Sequence, residues 1–255
     1  MSSNRLKLNP DKTELLWAST KHNLNKQPLP AVRVRGVVVK PTTLVKSLGV
    51  QIDEELKLSS HVSSICRSCY FHLRQIRQIR RYLNMDSAKT LVQSFVTNRI
   101  DYCNSLLANA PSYQTDQLQR VLNAAARLVL RLNRSVHELR PLVKEKLHWL
   151  RAPERITYKL CTLTFKALHG TAPVYLQRLC VPVETNRRRA GLRSGLRGDL
   201  LIPRHRLATY GPRAFCIAAP MAWNALPVAL RCKMDSYETF CSKLKEYLFT
   251  VSYNC

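Results

Sequence analysis

Four metal-ligating side chains, His61, Cys66, Cys69 and His72, stand in an H-x4-C-x2-C-x2-H string. Imidazole and thiolate donors in that order are zinc chemistry, but structural zinc takes four ligands that converge from different elements, usually a turn and a helix. This segment reads as one continuous helix with Cys69 on its apolar stripe, and no second C-x2-C accompanies it, so buried helical cysteine is the better reading. Other chemistries lack their spacing too: the chain has no G-x-S-x-G elbow, no H-E-x-x-H and no Gly-rich phosphate loop. Two-metal phosphoryl transfer needs paired carboxylates. Glu54 and its neighbour Glu55 end a strand, where successive side chains point to opposite faces. No catalytic, cofactor-binding or metal-ligating residue is therefore assigned.

What the sequence does carry is charge. Lys and Arg number 41 against 16 Asp and Glu, a formal charge of +25. A compact chain tolerates such an excess best when a polyanion neutralises it, and nucleic acid is the default. The nine cysteines are spread through apolar and helical contexts without a cleavable leader and read as reduced. No stretch reaches the 18 to 20 apolar residues that span a bilayer, so the chain is expected to be nuclear or cytoplasmic, neither secreted nor membrane-bound.

The elements that must position this charge change character along the chain. Residues 1–55 carry the β signal: AVRVRGVVVK alternates up to Gly36 and resumes after it, which suits a hairpin turning near the glycine, and LVKSLGVQID repeats the alternation, so two or three short strands are expected. From Leu56 the period becomes helical, with Ser59 or Ser60 as N-cap. Val62, Ile65, Cys69, Leu73, Ile76, Ile79 and Leu83 form a stripe, and Arg67, Arg74, Arg77 and Arg81 gather on the opposite side. From His61 through Asn84 no acidic residue occurs to neutralise them by i to i+4 pairing.

A second helix is expected from an Asp86 or Ser87 cap to Ala108. A third, near Thr115 to Leu132, adds Arg120, Arg127 and Arg131, and a fourth runs from Pro153 to a Gly170 cap. ETNRRRAGLRSGLRGDLLIPRHR, with the run Arg187, Arg188 and Arg189, lacks a period and reads as a basic linker that either binds phosphate or is simply solvated. An aromatic-containing module closes the chain. The organisation expected is 1–55, a helical domain at 56–175, a linker at 176–206 and a small module at 207–255.

In order, the words NRLKLNPDKTE, KSLGVQID, LRQIRQIRRYL, RIDYCNSLL, LQRVLNAAARLV, LHWL with ERITYK, KALHGTAPVYL, YGPRAF and AAPMAWNALP resemble the carboxy-terminal part of LINE-type, jockey-like non-LTR retrotransposon reverse transcriptases. The resemblance runs over nearly the whole chain. It implies a mainly α fold: a helical thumb-like layer preceded by a short palm remnant whose hairpin at residues 46–53 is similar to a primer grip.

In that family the magnesium-binding aspartates precede the matched words. The resemblance therefore implies a catalytically incomplete RNA-directed DNA polymerase fragment, with no cofactor of its own where the parent would use Mg2+. RNA, DNA or an RNA–DNA hybrid would be held through the phosphate backbone. Lys12 matches a palm lysine thought to help protonate the departing pyrophosphate; a solvated lysine at a strand start is the alternative. Where the family commonly continues LHWL with Pro-Val, this chain has Arg151 and Ala152. Two further readings remain open, a domesticated protein-interaction module and part of a longer active polymerase. The residues expected to meet phosphate are Arg67, Arg74, Arg77, Arg81, Arg120, Arg127 and Arg131, with Arg187, Arg188 and Arg189 as looser contributors.

Overall fold

The computed structural model describes residues 9, 12–26, 30–34, 36–133, 138–185, 197–232, 234 and 236–253. The fold is mainly helical with a small β part, the class the sequence implies. Two compact units divide the chain, residues 1–65 and residues 66–255.

Among the described residues of the first unit, six short strands form three pairs. β1 (Leu15–Leu16) runs parallel to β4 (Pro41–Thr42). β2 (Val32–Val34) and β3 (Val37–Val39) form an antiparallel hairpin, as do β5 (Leu44–Ser47) and β6 (Val50–Asp53). Both alternating stretches thus pair where the sequence puts them. The helical turn α1 (Lys21–Leu24) is capped by Thr20, whose Oγ1 accepts from the Asn23 amide.

The turn of the second hairpin sets Leu48 at φ 46° and Gly49 at φ 85°, the double positive φ of a type I′ turn. Glycine adopts this freely, whereas an L-residue there costs about 1–2 kcal/mol. Leu48 is 88% exposed, so burial returns little of that cost. At the other end of β6, the Asp53 carboxylate accepts from the amides of Lys57 and Leu58 at 2.8 and 2.7 Å. It gathers the first free amides ahead of α2 (Ser59–Ile79), a task the sequence reading gives to Ser59 or Ser60.

In the second unit α2 tightens into a 3-10 turn, Arg80–Tyr82. The next helix departs from the single span expected. It is capped by Asn84, whose Oδ1 accepts from the Ser87 amide at 2.8 Å. Asp86 lies one position inside α3 (Met85–Val92), where its charge suits the positive end of the helix. A π turn, Gln93–Thr97, leads into α4 (Asn98–Asp101), and the left-handed Cys103 at φ 52° ends the helix.

α5 (Ser112–Leu130) follows, stopped by Arg131 in the left-handed conformation. After α6 (Leu139–Leu142) comes α7 (Ala152–Leu168), with Pro153 in its first turn and Gly170 beyond its end at φ 69°. Both match the expected punctuation. α8 (Val174–Gln177), α9 (Phe215–Asn224), α10 (Val228–Cys232) and α11 (Tyr237–Tyr253) complete the unit.

The C-terminal helices share a core with α7. Phe165 stacks on Phe240 with ring centroids 4.4 Å apart, and Trp223 lies 5.6 Å from Phe240. Leu150, Cys161, Leu244 and Leu248 are buried around them. The end of the segment read as a linker is fastened to this core. Trp223 Nε1 donates to the Gly198 carbonyl, Asn224 bonds both the amide and the carbonyl of Leu200, and Asp199 pairs with Arg231. The amides of Val183 and Leu201 donate to the carbonyls of Asp199 and Val181, tying 181–183 to 199–201. Arg187, Arg188 and Arg189 themselves lie outside the described residues.

Two stability outcomes follow. Leu48→Asn, a residue that tolerates the left-handed conformation, is expected to stabilise the hairpin by up to about 1 kcal/mol, read as slower amide exchange across residues 44–53. Phe240→Ala, at a fully buried ring, is expected to cost about 3–5 kcal/mol in chemical denaturation of the second unit.

Candidate nucleic-acid interface

Two arginines tie the ends of α2 and α5 together. A helix leaves its last carbonyls without partners. At the end of α5 those of Leu128 and Val129 accept from Arg80 Nε at 2.9 Å and Arg80 Nη2 at 2.7 Å. The exchange is reciprocal: Arg131 Nη2 reaches the carbonyls of Arg80, Arg81 and Leu83 at 3.3, 3.4 and 3.0 Å. Guanidinium donors at two negative helix ends are favoured twice, by the charge-assisted bonds and by the dipoles. Arg80 is 9% exposed. Burial first, and then the neighbouring positive charge of Arg131, lower its pKa from the ordinary arginine value.

Between the clamped helices lies a groove of about 1060 Å3. Arg74, Arg77 and Arg81 line it from α2 and its 3-10 extension, and Arg120, Arg127 and Arg131 from α5 and its cap. Leu73, Ala124 and Leu128 contribute apolar surface, Tyr70 stands among the arginines, and among the described residues no carboxylate lines it. Burial raises the Tyr70 pKa, with a smaller contribution from Cys66, so its hydroxyl keeps its proton at neutral pH. The guanidinium of Arg81 sits 4.6 Å from the ring centre of Tyr82, which is exposed.

The wheel is corrected in one respect. Arg77 stands four residues after buried Leu73, only about 40° further round the helix. The arginines therefore occupy a flank beside the buried stripe, facing α5 across the groove. Phe71, Gln75, Gln78 and Ile79 are exposed on the other sides of the helix. Arg80 takes the stripe position that the sequence reading extends through Ile79 and Leu83, because its guanidinium has carbonyls to satisfy. An arginine in register with Leu73 and Ile76 at a helix end is the signal that could have found it.

Arg67 is exposed one turn before the groove and does not line it. Arg131 lines it while serving as a cap, so its contribution is partly structural. His61, Cys66, Cys69 and His72 turn to separate tasks. His61 Nδ1 accepts from the Gln51 amide, Cys69 Sγ donates to the Val96 carbonyl, and His72 stacks on Phe95. Burial pushes the Cys69 thiol up to about 12. Among the described residues no group of three or more His, Cys, Asp or Glu side chains is arranged to hold a metal ion, and no helix is long and apolar enough to cross a membrane.

Comparison of the chain with family models, curated proteins and solved structures finds no match.

Because Arg80 is buried and its guanidinium donates to the carbonyls of Leu83, Leu128 and Val129, Arg80→Met is expected to lower the unfolding free energy by about 2–3 kcal/mol through the loss of those bonds. Arg81→Gln, on the exposed wall, is expected to change it by less than about 0.5 kcal/mol. Urea denaturation of the two variants checks the difference.

Proposed function

We propose that this chain is a nucleic-acid-binding portion of a non-LTR retrotransposon reverse transcriptase. In this reading it holds RNA, DNA or an RNA–DNA hybrid through the phosphate backbone. The observation that carries the reading is the convergence of Arg74, Arg77, Arg81, Arg120, Arg127 and Arg131 on one groove that no carboxylate of the described residues lines. Two facing rows of guanidiniums suit phosphates, which they can bind bidentately, and bonds of that kind fix position while carrying no sequence information.

The sequence words support the family, and they match the part that follows the catalytic aspartates of its pattern. On an A-form or hybrid duplex such a surface meets phosphates and the shallow minor groove, so shape is recognised more than sequence.

Replacing Arg74, Arg77 and Arg120 together with Gln is expected to weaken duplex binding at least tenfold and by the same factor on unrelated sequences. The slope of log affinity against log salt should flatten by about one for each phosphate-binding arginine replaced. Fluorescence anisotropy across a salt series measures both. Unchanged affinity and slope in a variant that still unfolds cooperatively would overturn the reading.

A further inference from the structure

Beside the groove, on the adjoining flank of α5, lies a second, smaller pocket of about 190 Å3, lined by Gln119, Asn123, Arg127, Arg140, Arg151 and Tyr253. Among the described residues no carboxylate lines it, although the Glu154 carboxylate acts on Tyr253 along with Arg151 and Arg140. Among the described residues none of its three arginines is in an ion pair. Arg140 Nη2 donates to the Ser252 carbonyl at 3.2 Å, whereas Arg127 Nε is shut off from solvent without a hydrogen-bond partner. Three like charges round a pocket a few times the size of a water molecule repel one another unless an anion sits among them. A polar atom buried without a partner adds to that cost.

The amides at the pocket are oriented by elimination. A backbone N–H can only donate, so the Ala152 amide fixes Gln119 Oε1 towards itself, at 2.9 Å. Gln119 Nε2 therefore faces Asn123 and donates to its Oδ1 at 2.8 Å, which leaves Asn123 Nδ2 as a further donor. The Tyr253 hydroxyl spends its proton on the Trp149 carbonyl at 2.8 Å and contributes a wall. The donors left uncommitted at the pocket are thus the Asn123 amide and the remaining N–H groups of Arg127, Arg140 and Arg151.

We infer that this pocket is a phosphate site, taking one tetrahedral oxyanion between Arg127, Arg140, Arg151 and the Asn123 amide. Planar guanidiniums match phosphate oxygens in pairs, and several converging on one centre select a dianionic group over chloride. Arg127 also lines the large groove, so the two anion-binding surfaces meet at one side chain. The inference nevertheless stands without the proposed function, since it concerns a single anion on a different set of residues.

The test is thermal unfolding of the full chain in inorganic phosphate against chloride at matched ionic strength, because a ligand that binds only the folded state raises Tm. Wild type and the groove variant Arg74→Gln/Arg77→Gln are expected to gain several degrees in phosphate. Arg140→Gln/Arg151→Gln is expected to gain none. Asn123→Asp keeps the acceptor for Gln119 but sets a carboxylate beside the anion, so it too should lose the response. It serves if the double variant fails to fold.

Oligonucleotides with and without a 5′-phosphate distinguish the source. Tighter binding of the phosphorylated strand that depends on Arg140 and Arg151 marks a strand end, and equal binding marks a free phosphate group. Phosphate stabilisation of wild type no greater than that of chloride, or equal stabilisation of Asn123→Asp, would overturn the inference.

Discussion

The reciprocal capping by Arg80 and Arg131 is the constraint on which the basic surface depends. Two helices that end side by side would bring two sets of unpaired carbonyls into one partly buried place, an arrangement that costs free energy unless donors are supplied. Each helix provides a guanidinium for the other's end. The same exchange fixes the spacing of α2 and α5, and the spacing makes a groove of two arginine rows that would otherwise be unrelated. Arg131 reaches its carbonyls from a left-handed residue at φ 54°, so backbone geometry, capping and charge are coupled in one side chain.

This arrangement is also electrostatically demanding. The formal charge is +25, and in the second unit the carboxylates with close cationic partners stand away from the groove. Asp101 is held by Arg155 at 2.7 Å and Asp199 by Arg231. The groove arginines on α2 are left to face one another across apolar surface and a protonated tyrosine. On the proposed function a polyanion in the groove would relieve that repulsion, and the counterions it released would add to affinity at low salt.

Much of this was legible in the sequence. Both hairpins were marked by alternation and glycine, α7 by its proline and glycine, and the arginine rows by helical period. The position of those rows was less so, because a wheel gives angles about one helix and nothing about its neighbour. The arginines read as lying opposite the buried stripe line a wall beside it. Arg80, one basic residue among many in the sequence, holds the helix ends together. The segment at 197–201 has no period, yet Trp223, Asn224 and Arg231 fasten it; such bonds between residues distant in the chain leave no local pattern. The cap at Asn84 was hidden for a plainer reason, since Asp86 and Ser87 are equally good cap types and only backbone conformation separates them.

The most direct test of the central claim is to locate where nucleic acid touches the chain. Photocrosslinking to a halogenated-uridine RNA duplex followed by peptide mapping is predicted to place adducts on Tyr70 and on peptides spanning residues 74–82 and 120–131. Adducts confined to residues 197–213, or an adduct pattern that leaves Tyr70 unmodified, would contradict the account.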